Sequence, residues 1–260
     1  MTKLTVLGCS GGIGSGRHTT CLKVDDDVLI DAGSGLTTLD FEQLVKLDHV
    51  FLTHAHLDHV LGLPLLLDSV GDLRHEPVTV HALPAVLDVL TKHLFNWQLW
   101  PDFREIPSKE SPWLRFEPLD FGEALTLKGR TFRPLPANHV VPACGLHVAT
   151  QSGSLVFSGD TTHSDDFVRA LNAIPDLRQL IIETSFENEL FEIAKASKHH
   201  WPDSLAAELA ALTVQPEVWI THLKPGNEAA IMNELRAAVP GWVVEALMQG
   251  QVITLADGRS

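Results

Sequence analysis

The six residues from His54 to His59 read His-Ala-His-Leu-Asp-His, and they constrain the fold of this chain more than any other segment. They follow an apolar run, Val50–Leu52, that predicts a short buried strand. Four of the six side chains, His54, His56, Asp58 and His59, can bind a metal. Imidazole and carboxylate together suit zinc, iron or manganese better than magnesium or calcium, which prefer all-oxygen ligands. We therefore expect this strand to end at a metal site; the alternative is a polar, solvated turn in a histidine-rich chain.

Length and composition fit one globular domain over residues 1–260. The chain is 45% hydrophobic and 20% charged, which is ordinary for a protein with a sizeable core. Its formal net charge of −14 argues against a nucleic-acid partner, because a nucleic-acid surface needs a basic stripe. This charge is compatible with a small anionic substrate that is held by a metal.

The chain shows no feature of a secreted or membrane-bound protein. Its first residues run directly into a strand-like segment, with no basic region ahead of a long apolar run, so we expect no signal peptide. No apolar run has the length of a membrane span, so no membrane partner is expected. Cys9, Cys21 and Cys144 are an odd number without a Cys-x-x-Cys pair. Together these features predict a cytoplasmic protein without disulfides.

Apolar strands come first along the chain, and helices and strands alternate later. Strand-like segments such as Leu4–Leu7 precede the histidine cluster, and helices are predicted near 165–172, 203–212 and 227–238 with strands between them. Residues 95–112 are aromatic and interrupted by proline, which predicts a long loop. This order indicates an α/β sandwich, in which two sheets pack together with helices outside.

A glycine-rich run, Gly11–Gly16, allows two interpretations. It lacks the Gly-Lys-Ser/Thr ending of a phosphate-binding P-loop, and no helical pattern follows it. We favour a structural turn, and backbone contact with a substrate is the alternative.

Three further candidate ligands follow predicted strands elsewhere in the chain. His139 comes after the strand 131–135, Asp160 after 155–157, and His222 after 218–220. Loops at strand ends often carry functional residues, so these side chains are candidates for the same metal site. Taken singly, each has a simpler explanation as a packed histidine or a turn-forming aspartate.

The complete set resembles the metallo-β-lactamase superfamily over nearly the whole chain, from Leu29-Ile30-Asp31-Ala32-Gly33 to Thr221-His222-Leu223-Lys224-Pro225. Within it, the segments His-Ala-His-Leu-Asp-His-Val-Leu-Gly-Leu, Phe157-Ser158-Gly159-Asp160-Thr161 and Ile182-Glu183-Thr184-Ser185-Phe186 are similar to the class II cyclic-nucleotide phosphodiesterases. Pro64 departs from that signature, which usually has an aliphatic residue there. The resemblance implies the metallo-β-lactamase αββα sandwich of two mixed β-sheets with helices on the outer faces.

The resemblance also implies how the ligands are shared between two divalent metal ions, most simply zinc, with manganese or iron as alternatives. His54, His56 and His139 would hold one metal, and Asp58, His59 and His222 the other. Asp160 would bridge both, and Asp31 would steady a ligand histidine.

The activity implied is hydrolysis of 3′,5′-cyclic nucleotides, cAMP or cGMP, to 5′-nucleotides by a hydroxide that the two metals share. Other hydrolases on this scaffold are alternatives: a tRNA 3′ endonuclease, another cyclic-phosphate diesterase, or a lactone or thioester hydrolase. A metal-binding protein without catalysis is a further alternative. A homodimer is expected from the superfamily.

Asp58 and His199 are the predicted catalytic residues. His199 precedes a predicted helix, where a histidine of related phosphodiesterases and tRNA endonucleases contacts the scissile phosphate; His200 and a plain surface role are the alternatives. The sequence predicts no role for Glu183 beyond a hydrogen bond near the site or the end of a strand. The aromatic residues of the 95–103 loop are expected to pack the loop or form a subunit contact, with stacking on a purine as the alternative.

Overall fold

A computed structural model describes residues 1–255, and two large β-sheets dominate it. The strands are β1 (Thr2–Gly8), β2 (Cys21–Val24), β3 (Val28–Ile30), β4 (His49–Phe51), β5 (Val78–Ala82), β6 (Pro107–Ser108), β7 (Ser111–Pro112), β8 (Leu114–Pro118), β9 (Leu125–Leu127), β10 (Arg130–Pro136), β11 (Cys144–Thr150), β12 (Gly153–Phe157), β13 (Leu177–Glu183), β14 (Glu217–Thr221), β15 (Val244–Ala246) and β16 (Val252–Leu255). The α-helices are α1 (Phe41–Val45), α2 (Leu57–Val60), α3 (Gly62–Val70), α4 (Pro84–His93), α5 (Asp165–Asn172), α6 (Phe191–Ser197), α7 (Pro202–Ala210) and α8 (Glu228–Ala238).

Each large sheet has seven strands and joins an antiparallel half to a parallel half. The first sheet has the order β16-β1-β2-β3-β4-β5-β8, antiparallel as far as β3 and parallel from there on. The second has the order β9-β10-β11-β12-β13-β14-β15, antiparallel as far as β12 and parallel beyond it. Every parallel connection passes through at least one helix, because parallel neighbours need a crossover.

The two sheets pack face to face through an apolar core, and the helices cover their outer faces. Phe51 of β4 stacks on Phe132 of β10 with ring centroids 4.3 Å apart, and Phe157 of β12 is buried in the same cluster. Helices α3 and α4 bury their apolar faces against the first sheet, and α5, α7 and α8 bury theirs against the second. The predicted sandwich of two mixed sheets with outer helices is therefore confirmed.

The carboxyl ends of five parallel strands meet between the sheets. Asp31 follows β3, and the histidine cluster follows β4 in the first sheet. In the second sheet, Asp160 follows β12, Glu183 ends β13, and His222 follows β14. In parallel sheets the ligand site lies beyond the carboxyl ends of the strands, and the polar side chains gather at that edge here.

The structure differs from the sequence-based expectation in several segments, one of which is helix α1, which the sequence pattern did not predict. Helix α6 was not expected, and it lies directly before the histidine pair at 199 and 200. The expected loop at 95–112 contains a small hairpin, in which β6 pairs with β7. No helix among residues 1–255 is both long and apolar enough to cross a membrane.

Candidate metal centre

The histidine cluster of residues 54–59 is shaped by the start of helix α2. His56 is the extended residue before the helix, and the first turn carries Asp58 and His59. His54 and His59 are fully buried, whereas Asp58 keeps about a third of its side chain exposed (35%). The short helix thus turns its ligand side chains inward and leaves one carboxylate open to solvent.

The first group of ligand atoms comes from His54, His56, His139 and Asp160. His54 Nε2 lies 3.0 Å from His56 Nδ1, and His139 Nε2 lies 3.2 Å from the same atom. Asp160 Oδ2 is 3.6 Å from His54 Nε2 and 4.0 Å from His139 Nε2. Four nitrogen and oxygen ligands at about 2.0–2.2 Å around a cation would be about 3.3 Å apart, so these spacings fit one metal position.

The second group comes from Asp58, His59 and His222. Asp58 Oδ2 lies 3.3 Å from His222 Nε2 and 3.8 Å from His59 Nε2. Asp160 also faces this group, with Oδ1 at 3.4 Å from His59 Nε2 and Oδ2 at 3.4 Å from His222 Nε2. Asp160 therefore lies between the two groups, where a bridging carboxylate would have to be.

Hydrogen bonds from the Nδ1 atoms of the imidazoles turn the opposite ring nitrogens, Nε2, toward these groups. His59 Nδ1 donates to Asp31 Oδ2 at 2.7 Å. The Thr53 hydroxyl donates its single proton to the same carboxylate. Thr53 Oγ1 lies 3.1 Å from His54 Nδ1, so in this second hydrogen bond His54 Nδ1 must be the donor. In the neutral form of each ring, Nε2 is then the nitrogen that carries the lone pair. The steadying contact expected for Asp31 is present, with its own backbone in the left-handed region at φ 56°.

The other two Nε2 atoms are fixed in the same way. His139 Nδ1 donates to Lys198 O at 3.1 Å, and His222 Nδ1 donates to Ser185 Oγ at 2.9 Å. His59 Nε2 is buried and finds no hydrogen-bond partner among residues 1–255. Several buried lone pairs that face one another and two carboxylates are unfavourable without a cation. The donor set fits divalent metal ions.

Glu183 is the residue whose role sequence reasoning missed. It is fully buried, accepts from His199 Nδ1 at 2.6 Å, and accepts from Ser185 Oγ at 3.0 Å. It also accepts from the backbone N–H of Thr161, next to Asp160, at 2.9 Å. Glu183 ends strand β13, just as the candidate ligands follow other strands. This position at a strand end is the feature of the sequence that could have identified it.

The structure separates His199 from His200. The His199 ring lies 5.1 Å from the His139 ring and stacks 5.2 Å from the His222 ring, so it borders both ligand groups. Burial lowers the pKa of His199, but the Glu183 carboxylate outweighs burial and raises that pKa above its usual value. His200 instead contacts Ser204 Oγ at 2.8 Å in the first turn of α7. Burial lowers the pKa of His200 to about 4, so it is a neutral packing residue.

The aromatic loop packs mainly into the core. Phe95 and Phe103 are buried in the cluster under α3 and α4, and Trp100 packs against that cluster. Trp97 is 59% exposed. Packing therefore accounts for three of the four aromatic side chains, and the predicted subunit contact stays a prediction.

The glycine-rich run begins against His222, one of the candidate ligands. The Gly11 N–H donates to Leu223 O at 3.0 Å. A Cβ on Gly11 would lie 2.3 Å from His222 O and 2.9 Å from His222 Nδ1, so only glycine fits there. This close approach supports the structural interpretation of the run.

A family model described as the beta-lactamase superfamily domain matches residues 27–223, more than half of the chain. The chain belongs to the metallo-β-lactamase superfamily. All seven candidate ligands lie within the matched residues, and the superfamily assignment makes the chain a metal-dependent hydrolase.

Individual members of the superfamily that resemble this chain carry the names of two different enzymes. A probable 3′,5′-cyclic-nucleotide phosphodiesterase from Yersinia pestis is 26% identical over an alignment of 275 positions, gaps included, that covers 86% of this chain and 78% of that protein. A ribonuclease Z from Bradyrhizobium diazoefficiens is 34% identical over an alignment of 152 positions that covers 54% of this chain and only 46% of that protein. The crystal structure of the metallo-beta-lactamase fold protein YhfI from Bacillus subtilis superposes with a TM-score of 0.80 at 20% identity, covering 98% of this chain and 100% of that one. That likeness shows the fold.

Proposed function

We propose that this chain is a phosphodiesterase that hydrolyses 3′,5′-cyclic nucleotides to 5′-nucleotides and uses two divalent ions, zinc in the first instance. His54, His56 and His139 would hold one ion, and Asp58, His59 and His222 the other, with Asp160 between them. The observation that carries the proposal is the Glu183–His199 pair beside two ligand groups that share one carboxylate. Under the proposal, His199 would be a proton donor next to the position of an anionic phosphoryl group.

The choice of a cyclic nucleotide is supported by the Yersinia relative, which aligns over most of both chains, and by charge. The length of the match does not separate the two activities, because a tRNase Z from Arabidopsis thaliana is 28% identical and aligns over 95% of this chain and 75% of that protein. A net charge of −14 opposes the binding of a long polyanion, since phosphate contacts depend on clustered cations. Processing of the tRNA 3′ end is the second candidate function, and the higher identity of the ribonuclease Z match favours it.

When bound, the two ions would supply Lewis acidity and an activated water at neutral pH. The chain supplies the proton transfers. Asp58 is the most exposed carboxylate of the cluster, and it would accept a proton from the water that attacks phosphorus. His199 would donate its Nε2 proton to the departing 3′-oxygen while its Nδ1 proton stays on the bond to Glu183. The charge of Glu183 raises the pKa of His199 and so favours the protonated ring before that transfer.

The test is a hydrolysis assay of the metal-loaded protein with cAMP, cGMP, a 2′,3′-cyclic nucleotide and a precursor tRNA. We expect turnover of a 3′,5′-cyclic nucleotide to the 5′-nucleotide and its loss on chelation. Turnover of only the 2′,3′-cyclic nucleotide or the precursor tRNA would refute the assigned substrate but leave the metal site intact.

A further inference from the structure

Lys198 has a left-handed backbone directly after helix α6, with φ 52° and ψ 53°. Its N–H donates to Lys195 O at 3.2 Å, and the His199 N–H donates to Ala194 O at 2.9 Å. This pair of bonds is the Schellman pattern at the end of a helix, where glycine usually occupies the left-handed position. A lysine is less favourable than glycine in this conformation, so its side chain is a candidate for a role of its own.

Two reciprocal hydrogen bonds join Lys198 to His139, although 59 residues separate them. The Lys198 ammonium donates to His139 O at 3.1 Å, and Lys198 O accepts from His139 Nδ1 at 3.1 Å. The first bond holds the backbone of the loop after β10, and the second fixes the orientation of the imidazole ring. His139 Nε2 consequently faces His56 Nδ1 at 3.2 Å with its lone pair.

We propose that Lys198 is a positioning residue for His139 and thereby sets the affinity of one of the two metal positions. Glycine could supply the left-handed turn and the carbonyl, but only the lysine side chain supplies the bond to His139 O. The left-handed turn also directs the next residue, His199, toward Glu183. The inference rests on the proposed role of His139 as a ligand.

The test is a calorimetric zinc titration of the metal-free, full-length chain, because this measures binding without catalysis. We expect Lys198→Gly to weaken one of the two zinc equivalents about tenfold, the low end of the loss for a residue behind a ligand, because the carbonyl that accepts from His139 Nδ1 remains. The second equivalent should keep its affinity. The melting temperature of the metal-free protein should not fall, since glycine relieves the left-handed strain.

Lys128 offers a matched control. It is also a left-handed lysine, at φ 48° in the turn between β9 and β10, and it pairs with Asp27 away from the ligand groups. Lys128→Gly removes the same side chain from the same backbone conformation, and both zinc equivalents should bind as in the wild type.

Two outcomes would overturn the inference: unchanged binding of both equivalents by Lys198→Gly, or equal weakening of both. Should that variant not fold, Lys198→Met must weaken the same equivalent, and Lys198→Arg, which keeps a cationic donor, must restore most of the affinity. A His139→Ala chain that binds two equivalents normally would contradict the metal assignment itself, so the two failures are distinguishable.

Discussion

Replacing Glu183 with glutamine tests the proposed proton donor most directly. The carboxylate accepts four hydrogen bonds, and the bond from His199 Nδ1 is the shortest at 2.6 Å. Glutamine has nearly the same shape, but it lacks the charge and turns an amide N–H₂ toward groups that are themselves donors. The substitution therefore removes the electrostatic support of His199 and leaves the packing in place.

The expected loss of activity follows from the proposed role of His199 as a general acid. General acids contribute about 10²–10⁴-fold, so we expect kcat for Glu183→Gln to fall by that factor, or about 3–5 kcal/mol in activation free energy. The mismatched amide should lower the free energy of unfolding by about 1–3 kcal/mol. The Glu183 charge raises the pKa of His199, and only protonated His199 can donate. The alkaline limb of the pH profile should therefore move to lower pH in the variant.

Glu208→Gln is the control, because Glu208 is also a buried glutamate that pairs with a histidine, His163, outside the ligand groups. Steady-state kinetics from pH 5 to 10 and urea unfolding should be measured for both variants. We expect similar stability losses but a changed kcat only for Glu183→Gln. Wild-type kcat and an unshifted alkaline limb in Glu183→Gln would refute the proton-donor argument.

The remaining predictions concern the ligands, the second histidine and the contact between the sheets. Asp160→Ala should lose both metals, as measured by elemental analysis after dialysis; retention of both with near-normal kcat would exclude a bridging role. His199→Gln should lower kcat about 10²–10⁴-fold, whereas His200→Gln should leave kcat unchanged, and equal losses would contradict their separation. Arg130→Met leaves the buried Asp27 carboxylate without its guanidinium at 2.6 Å but still paired with Lys128, and should cost about 1–3 kcal/mol in urea unfolding; a loss near zero would exclude net stabilisation by the Arg130 pair. Burial raises the pKa of Asp27, but Arg130 and Lys128 outweigh it and lower the pKa from 3.8 to about 2. The stabilisation through Asp27 is thus complete above about pH 4 and is lost as the pH falls toward 2. In Arg130→Met, the decrease in unfolding free energy between about pH 4 and pH 2 should be smaller than in the wild type.

The candidate ligands were predictable because each follows a strand with a visible apolar run. Val50–Leu52 precedes the histidine cluster, and 155–157 and 218–220 precede Asp160 and His222. Sequence patterns reveal strand ends well, since buried strands are continuous runs of apolar residues. The structure brings these distant ends together at one edge, as the family resemblance implied.

Apolar periodicity did not separate His199 from His200, and only the family resemblance favoured His199, because the contacts that distinguish the two histidines depend on helix α6. Its large apolar residues, Phe191 and Ile193, are exposed, and only Ala194 is buried, so the segment has no apolar periodicity. The role of Glu183 was hidden for another reason. A carboxylate at a strand end can face a metal or an imidazole, and only the three-dimensional arrangement distinguishes the two.

The seven candidate ligands are divided between the sheets, with four after β4 in the first and three after β10, β12 and β14 in the second. Under the proposed metal assignment, neither half of the chain carries a complete set for both ions. Metal supply would then act on folding as well as on catalysis, because each ion cross-links the two sheets. Free metal at 1,000 times its dissociation constant would add about 4 kcal/mol per site to the stability of the native chain. A cell short of metal would then hold a chain that is less active and also more easily degraded.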